Sequence, residues 1–574
     1  MEIYRTEHPR PDLQRKDWLN LNGVWDFEID NDLSGKIKGY EKNRSFNKKI
    51  NVPFCPESKL SGIQNTDFIN SVWYGKQLNI PQEWKDKRVL LHVGACDYFT
   101  TVFVNGVRVG EHKGGYTPFC YDVTDYLSGN DYLVIYAEDD LRSDTQASGK
   151  QSHLKESYGC FYTRTTGIWQ TVWLEAVNTS HIIRYETYSN VQNSSVKIKV
   201  YCSKSCKDAT LNVKALYQGK IQGEFKEKVQ GDFVQAEIVL AEKHLWEIDN
   251  GRLYDLEFSL TKDGKTDNAN GYFGLREIAL KQDGFYLNGK RIYLKMVLDQ
   301  GFYPDGVITA PTEQDFIQDI EIAKSHGFNG ARLHQKVFEP RYLYHADKKG
   351  FLVWGEAGNW GMPVTNPQNY INYQKEWIEE IERDFSHPSV IGWCLYNETW
   401  ERDGSRKGVE QIDNLYKTVK GLDGTRPVIA DSGSLPTNFT DINDVHTYEQ
   451  TPQGIKTVFE DIDKNIVKEM LYKDHKDAQY LHDNLPIFLS EFGGVKLVTD
   501  KTDKKAWGYG RAVHSQEEFY TRFKNQVQTI KGVKRIVGFC YTQLTDIEQE
   551  QNGLVFYDRR LKFNPDKVKE ILKD

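Results

Sequence analysis

An apolar run that ends in an amide and an acid constrains this chain more than any other stretch. Residues 389–396 are mostly apolar, and Asn397 and Glu398 follow them directly. A continuous apolar run of this length is typical of a strand buried on both faces, as in a parallel sheet. Residues 485–489 form a second, mainly apolar run that leads to Glu491. Because active sites of barrels built from alternating strands and helices lie where the strands end, both glutamates are predicted to face one pocket.

Composition excludes several functional classes. The chain has 574 residues, with 82 acidic and 74 basic side chains and a net charge of −8 that is spread along the sequence. This balance argues against nucleic-acid binding, which needs a clustered basic surface. No apolar run approaches the ~20 residues that cross a bilayer, and the first residues lack the apolar core of a signal peptide. We therefore expect a cytoplasmic protein with no membrane partner, and the sequence is compatible with a homo-oligomer.

The cysteines give no sign of a metal site or of disulfides. All eight are scattered, and none forms a Cys-x-x-Cys pair. Free thiols in a reducing compartment are the expectation. His446 and acids near the predicted rim could bind a cation, but no ligand spacing indicates one. We predict neither a metal nor a cofactor.

The amino-terminal half is predicted to fold as two β-sandwiches. Residues 1–180 alternate short β-like runs with turns, which is typical of a jelly-roll sandwich. The Asn105-Gly106 pair between alternating runs is a strong hairpin signal. Residues 181–280 continue the alternation in a shorter block, which fits an immunoglobulin-like sandwich.

Residues 281–574 are predicted to form a (β/α)₈ TIM barrel. A helix is expected over 313–324, because Thr312 can cap its start and Gly327 can end it. Eight strand-like runs follow one another between Tyr293 and Tyr541. In this order Glu398 ends the fourth strand and Glu491 the seventh, so their side chains can converge across the barrel mouth.

Two converging carboxyl groups indicate glycoside hydrolysis with retention of configuration. That chemistry needs two carboxyls about 5–5.5 Å apart, of which one is protonated and the other ionised. The protonated group donates to the leaving oxygen, and the ionised group attacks the sugar. A glutamate at a strand end can also serve only as an ion-pair partner, but a pair on one rim favours catalysis.

Four segments of the chain resemble glycoside hydrolase family 2, the family of β-galactosidases, β-glucuronidases and β-mannosidases. Residues 384–398 are similar to its acid/base signature, and residues 490–493 to its nucleophile segment. Residues 165–170 resemble the end of its sugar-binding domain, and residues 329–354 its other signature. The resemblance spans nearly the whole chain and implies that two β-sandwiches precede a catalytic barrel.

The resemblance also implies roles for individual residues. Asn397 would bind the sugar 2-hydroxyl, a contact that strengthens in the transition state. Arg332 would lie near the Glu491 carboxylate and keep it ionised. Tyr448 would donate to the nucleophile, and Tyr541 would form an aromatic platform under the sugar ring.

Other positions depart from the family pattern. The residues after Arg332 and those after the first barrel strand differ from those of many relatives, so Asp299 and His334 are expected to shape the sugar pocket instead. β-Glucuronidases hold the substrate carboxylate with an Asn-x-Lys motif after strand eight, where this chain has acids that include Glu550. An acid there would repel a uronate.

The best single prediction is an exo-acting, retaining β-galactosidase-like enzyme that acts on a small glycoside or oligosaccharide. An arabinosidase, a galactofuranosidase or a β-glucuronidase of the same family remains an alternative. A non-catalytic carbohydrate-binding protein is a further alternative, but both carboxylates are present in intact surroundings.

Overall fold

The computed structural model describes residues 3–399, 408–433, 437–468, 479–499 and 505–573. The chain forms a jelly-roll-type sandwich, an immunoglobulin-like sandwich and a parallel barrel, in that order. This architecture confirms the predicted fold class.

The first sandwich packs a six-stranded sheet on a four-stranded one. In sheet order, the larger sheet contains Lys48–Val52, Gly23–Ile29, Ser71–Leu78, Asp131–Glu138, Phe99–Val104 and Val107–Lys113. The smaller contains Trp18–Asn20, Val172–Val177, Arg88–Val93 and Phe119–Asp122, and Cys96–Asp97 pairs with Gly167–Ile168. Alternate side chains point inward and form a common core that includes Trp25, Phe27 and Leu174.

The predicted hairpin is confirmed. Phe99–Val104 pairs antiparallel with Val107–Lys113, and Asn105 and Gly106 between them both have positive φ, 52° and 79°. Two successive positive φ values match the right-handed twist of the strands, and Asn and Gly tolerate them best.

The second sandwich has sheets of three and four antiparallel strands. The first contains Ile182–Asn190, Ser195–Cys202 and Phe233–Val239. The second contains Lys220–Lys228, Thr210–Tyr217, Tyr254–Lys262 and Lys265–Phe273. A small sheet of Ile278–Lys281, Gly284–Leu287 and Lys290–Ile292 then leads into the barrel.

Eight parallel strands make up the barrel sheet, as predicted. They are, in chain order, Leu294–Asp299, Gly330–Leu333, Leu352–Glu356, Val390–Cys394, Val428–Ile429, Asn443–Thr447, Ile487–Gly493 and Ile536–Thr542. Met296, Trp354 and Phe488 fill the interior with other inward-pointing side chains. The interior is therefore a packed core, and only the rim is free for a site.

Helices cover the outside of the barrel. Those in the described part of the chain are Glu313–Ser325, Pro340–Lys349, Pro367–Asp384, Val409–Leu422, Pro452–Val458, Gln516–Lys531 and Pro565–Lys573, and a single-turn helix, Gly35–Lys38, lies in the first sandwich. The predicted cap of the first barrel helix is present, because the Asp315 carboxylate accepts hydrogen bonds from the Thr312 backbone N–H and hydroxyl. Among these helices, none has the length and apolar character needed to span a bilayer.

Candidate active site

The two predicted glutamates meet at the mouth of the barrel. Glu491 lies within the seventh strand and is 5% exposed. The fourth strand ends at Cys394, so Glu398 lies four residues beyond the strand and not at its end as predicted. One carboxylate oxygen of each glutamate and a ring nitrogen of His446 all lie within 4.8 Å of one another. This separation is close to the ~5–5.5 Å that retaining glycosidases use.

The backbone of Glu398 adopts an unusual conformation that aims its side chain at this centre. Its φ is 47°, in the left-handed region, and its N–H donates to the Ser432 carbonyl at 2.8 Å. A non-glycine residue in this region costs roughly 1–3 kcal/mol and is held there only by its surroundings. Such residues are concentrated at functional sites.

Arg332 links the two glutamate-bearing segments. Its guanidinium is fully buried, and Nη1 lies 3.2 Å from Glu491 Oε1. Nη2 donates to Asn397 Oδ1 at 2.7 Å, and Nε donates to Glu356 Oε2 at 2.8 Å. The position of Arg332 beside the Glu491 carboxylate matches the expectation from the sequence.

The surroundings of Glu491 favour its ionised form. Burial raises its pKa, but the charges of His446 and Arg332 and a hydrogen bond from the Tyr448 hydroxyl outweigh this effect and lower the pKa to about 2. His446 lies between the two acids, with Nδ1 2.8 Å from Glu398 Oε1 and 3.6 Å from Glu491 Oε2. Burial lowers the pKa of His446, but the charge of Glu491 and contacts with Glu398 raise it overall.

Asn397 is fixed through its backbone and through Arg332. Its N–H donates to Asn359 Oδ1 at 2.9 Å, and its carbonyl accepts from Trp360 Nε1 at 2.9 Å. The side-chain Nδ2 is buried and has no hydrogen-bond partner among the described residues. An acceptor oxygen of a bound sugar would satisfy this donor, which agrees with the role that the resemblance implies.

Glu356 is a rim residue that the sequence reasoning missed. It ends the third strand, and its Oε1 lies 3.0 Å from Nδ1 of His334, which the structure thereby places at the rim as expected. Burial raises the pKa of Glu356, but Arg332 and His334 lower it to about 2. An apolar run that ends in an acid also marks this strand, so the signal that revealed Glu398 and Glu491 was present here too.

Two predicted pocket residues lie elsewhere. Asp299 accepts hydrogen bonds from the Gly301 N–H at 2.9 Å and the Tyr342 hydroxyl at 3.4 Å, and burial raises its pKa to about 7. The Tyr541 ring packs against Phe523 of the helix Gln516–Lys531, with centroids 5.2 Å apart. Asp299 and Tyr541 therefore do not face the predicted sugar pocket, contrary to the sequence-based expectation.

Strand alternation explains both corrections. Leu298 and Cys540 point into the barrel interior, so their neighbours Asp299 and Tyr541 point outward to the helices. An aromatic side chain under the sugar ring would have to point into the barrel or lie at its rim. The next residue, Thr542, lies at the rim, where its hydroxyl is 3.3 Å from the Tyr448 hydroxyl, but it has no aromatic ring.

A long loop of the first sandwich, residues 139–166, closes part of the barrel mouth. Its Gly159 and Phe161 carbonyls accept hydrogen bonds from Gln549 Nε2 at 2.8 and 3.0 Å. Its Tyr162 hydroxyl donates to Glu550 Oε2 at 2.5 Å. No residue of this loop was predicted to belong to the site, since sequence spacing cannot show which loop of another domain reaches the barrel.

Glu550 lies at the barrel mouth, where Tyr162 of the loop 139–166 donates a hydrogen bond to it. Burial raises its pKa, and Asn552 Nδ2 donates to its Oε1 at 3.0 Å. Tyr509 stacks on Tyr448, with ring centroids 3.4 Å apart. Burial raises the pKa of Tyr509, and the charges of Glu550, Glu491 and Glu398 raise it further.

Family models match nearly all of the chain. The model of the glycosyl hydrolases family 2 sugar binding domain matches residues 19–175, a second family 2 model matches residues 176–276, and the family 2 TIM barrel domain matches residues 278–573.

Individual relatives are distant. The chain is 24% identical to a β-galactosidase of Thermoanaerobacterium thermosulfurigenes over 85% of its own length and 66% of that enzyme's length. It is 27% identical to a β-glucuronidase of Bacteroides fragilis over 85% and 70% of the two lengths. A β-glucuronidase from Ruminococcus gnavus in complex with D-glucaro 1,5-lactone shares the fold, with a TM-score of 0.81, 19% identity and coverage of 99% and 100% of the two chains. The matches of three successive family models, which agree with the resemblance in the sequence, show that this chain belongs to glycosyl hydrolase family 2.

Proposed function

We propose that this protein is an exo-acting, retaining β-glycosidase in which Glu491 is the nucleophile and Glu398 is the acid/base. The observation that carries the proposal is the approach of the two carboxylates, which have one oxygen each within 4.8 Å of the other. A larger separation, about 6.5–9.5 Å, would leave room for a water molecule and would favour inversion.

The surroundings of the two acids support this division of roles. Arg332, His446 and Tyr448 keep Glu491 ionised, as a carboxylate that attacks the anomeric carbon must be. Glu398 has no arginine or lysine among its ion-pair partners in the described chain, and His446 Nδ1 is 2.8 Å away to orient it. In the first step Glu398 protonates the leaving oxygen while Glu491 bonds to the sugar. In the second step the ionised Glu398 takes a proton from water, which displaces Glu491.

A terminal sugar fits this site better than the interior of a polymer. The loop 139–166 lies against residues 549 and 550 at one side of the mouth, and its Ser148 N–H donates to the Trp360 carbonyl at 2.8 Å at the other. This closure supports exo action on small glycosides. A galactose-configured sugar is our first proposal, since two of the similar proteins are β-galactosidases, and an arabinoside, a galactofuranoside or a glucuronide is the alternative.

A panel of 4-nitrophenyl glycosides tests the proposal. It contains the β-galactoside, β-glucoside, β-glucuronide, β-mannoside, β-xyloside and α-L-arabinosides. We expect turnover of at least one, and the product before mutarotation should keep the anomeric configuration of its substrate. An inverted product would contradict the two-glutamate mechanism, and a protein that binds but never cleaves these glycosides would be a carbohydrate-binding protein.

β-Glucuronides should be poor substrates in this panel. Glu550 lies at the barrel mouth, bonded to Tyr162 of the loop 139–166, and like charges in a partly desolvated pocket repel by an amount that reduces kcat/KM roughly tenfold or more. Glu550→Gln should raise kcat/KM for the β-glucuronide relative to the best neutral glycoside, whereas the control Glu548→Gln should not. A β-glucuronide that proves to be the best substrate of the wild type would overturn this prediction.

Tyr448→Phe should move the acidic limb of the kcat/KM–pH profile to higher pH. The Tyr448 hydroxyl bonds to the ionised form of Glu491, whose pKa is about 2. Loss of a hydrogen bond to a charged group is worth about 1.5–3 kcal/mol, or roughly one to two pH units. The nucleophile would then be protonated, and inactive, at a higher pH than in the wild type. Tyr541→Phe, whose ring faces the outer helices, is the matched control, and an unmoved limb in Tyr448→Phe would remove Tyr448 from this role.

A further inference from the structure

The loop 139–166 is held firmly against the barrel near Lys150. The Ser148 and Gly149 N–H groups both donate to the Trp360 carbonyl, at 2.8 and 3.1 Å. Gly149 has a φ of +57°, and a side chain there would meet the Gln335 carbonyl at 2.5 Å. Only glycine permits this close contact between the two backbones. The following residue, Lys150, is therefore presented to the barrel in a defined position.

Lys150 is a buried lysine whose ammonium has no ionic partner among the described residues. It is 7% exposed, and its ammonium lies 3.8 Å from the centre of the Trp360 ring. Within the described ranges the ammonium forms no ion pair within 4.0 Å and no hydrogen bond. Lysines are almost never this buried unless they are paired, and a cation–π contact replaces only part of the lost hydration.

Trp360 connects this ammonium to the segment that carries Glu398. The indole of Trp360 donates to the carbonyl of Asn397, the residue that precedes Glu398. Burial lowers the pKa of His334 and the charge of Lys150 lowers it further. Burial raises the pKa of Glu550, and the same Lys150 charge opposes that rise.

We propose that Lys150 is a specificity-determining residue that donates a hydrogen bond to a hydroxyl of the terminal sugar, so that the first sandwich forms one wall of the active site. Three donor hydrogens on an ammonium that has no acceptor among the described residues suit a ligand rich in hydroxyl oxygens. The inference rests on the proposed glycosidase function and names a hydroxyl of the terminal sugar as the group recognised.

A chemical double-mutant cycle tests the contact. The substrates are 4-nitrophenyl β-D-galactopyranoside, or whichever glycoside the panel identifies as best, and its monodeoxy analogues. In the wild type, removal of the hydroxyl that Lys150 binds should lower kcat/KM by about 10- to 100-fold, the usual effect of a hydrogen bond to a charged group. In Lys150→Met that one penalty should vanish, while the penalties at the other hydroxyls remain.

Two further variants separate recognition from a structural role. Lys155→Met changes an exposed lysine of the same loop, whose ammonium is 3.0 Å from Asp67, and should leave kcat/KM and every deoxy penalty unchanged. Lys150→Arg keeps the charge but displaces its donors, so it should recover part of kcat/KM and alter the penalty at the same hydroxyl. If Lys150 only supports Trp360, its variants will lower kcat/KM equally for all analogues.

Failure of the Lys150 proposal can be distinguished from failure of the proposed glycosidase function. A wild type that cleaves no glycoside would refute the function itself. An active wild type, with every deoxy penalty intact in both Lys150 variants, would refute only the role of Lys150. Thermal unfolding of each variant checks that the compared proteins are folded.

Discussion

Glu491→Ala should lose turnover by roughly 10⁴- to 10⁶-fold, the range over which removal of catalytic triad residues affects another hydrolase. The loss follows because the attacking carboxylate is removed, and the nearby acid Glu356 is engaged by Arg332 and His334. Azide should restore part of the activity, since it can occupy the space of the missing carboxylate. The rescued product should be the α-glycosyl azide, formed by a single displacement.

Glu356→Gln is the matched control for this experiment. It also removes a buried rim carboxylate that bonds to Arg332, but azide should not rescue it, because Glu356 does not attack the sugar. A 2-fluoro glycoside should label Glu491 in the wild type. Label on another residue, or full activity in Glu491→Ala, would be incompatible with the assignment.

Glu398→Gln should affect glycosides according to how much their leaving group needs a proton. General acid assistance is worth about 10²–10⁴-fold, so 4-methoxyphenyl or alkyl glycosides should lose that factor. A 2,4-dinitrophenyl glycoside needs little assistance, so its first step should survive. The second step should then become limiting, because no base activates the water, and a burst of dinitrophenol should precede slow turnover.

Azide separates the roles of the two glutamates by stereochemistry. With Glu398→Ala it should attack the covalent intermediate and give the β-glycosyl azide, in contrast to the α product from Glu491→Ala. Equal slowing of activated and unactivated glycosides in Glu398→Gln, without a burst, would show that Glu398 is not the acid.

The sequence predicted the parts of this molecule that depend on local patterning. Apolar runs revealed most of the barrel strands, because a strand buried on both faces is mainly apolar along its length. The sixth strand, Asn443–Thr447, is mostly polar and was predicted from the alternation of strands and helices. The same runs revealed the glutamates of the proposed centre, and the Asn105-Gly106 pair revealed a hairpin through its backbone preferences. The position of Arg332 beside Glu491 came from the family resemblance and agrees with the contacts found.

The remaining site residues could not be predicted from local sequence patterns, because their positions depend on strand facing and on tertiary contacts. Asp299 and Tyr541 were expected in the pocket by comparison with the family pattern, but a shift of one residue turns a side chain to the other face of a strand. Lys150 and Tyr162 come from a loop more than a hundred residues before the first barrel strand. Their approach to the barrel is set by tertiary contacts such as those of Gly149, which a single sequence does not display.

The loop of the first sandwich that closes the barrel mouth has a consequence for how such proteins diverge. The family models divide this chain near residues 175 and 277, yet the wall of the pocket is shared across that division by residues 148–163. A barrel that acquired a different sandwich by recombination would keep its two glutamates but lose part of the surface that faces the substrate. The unit that evolution can exchange without loss of selectivity is therefore the sandwich together with the barrel, not either domain alone.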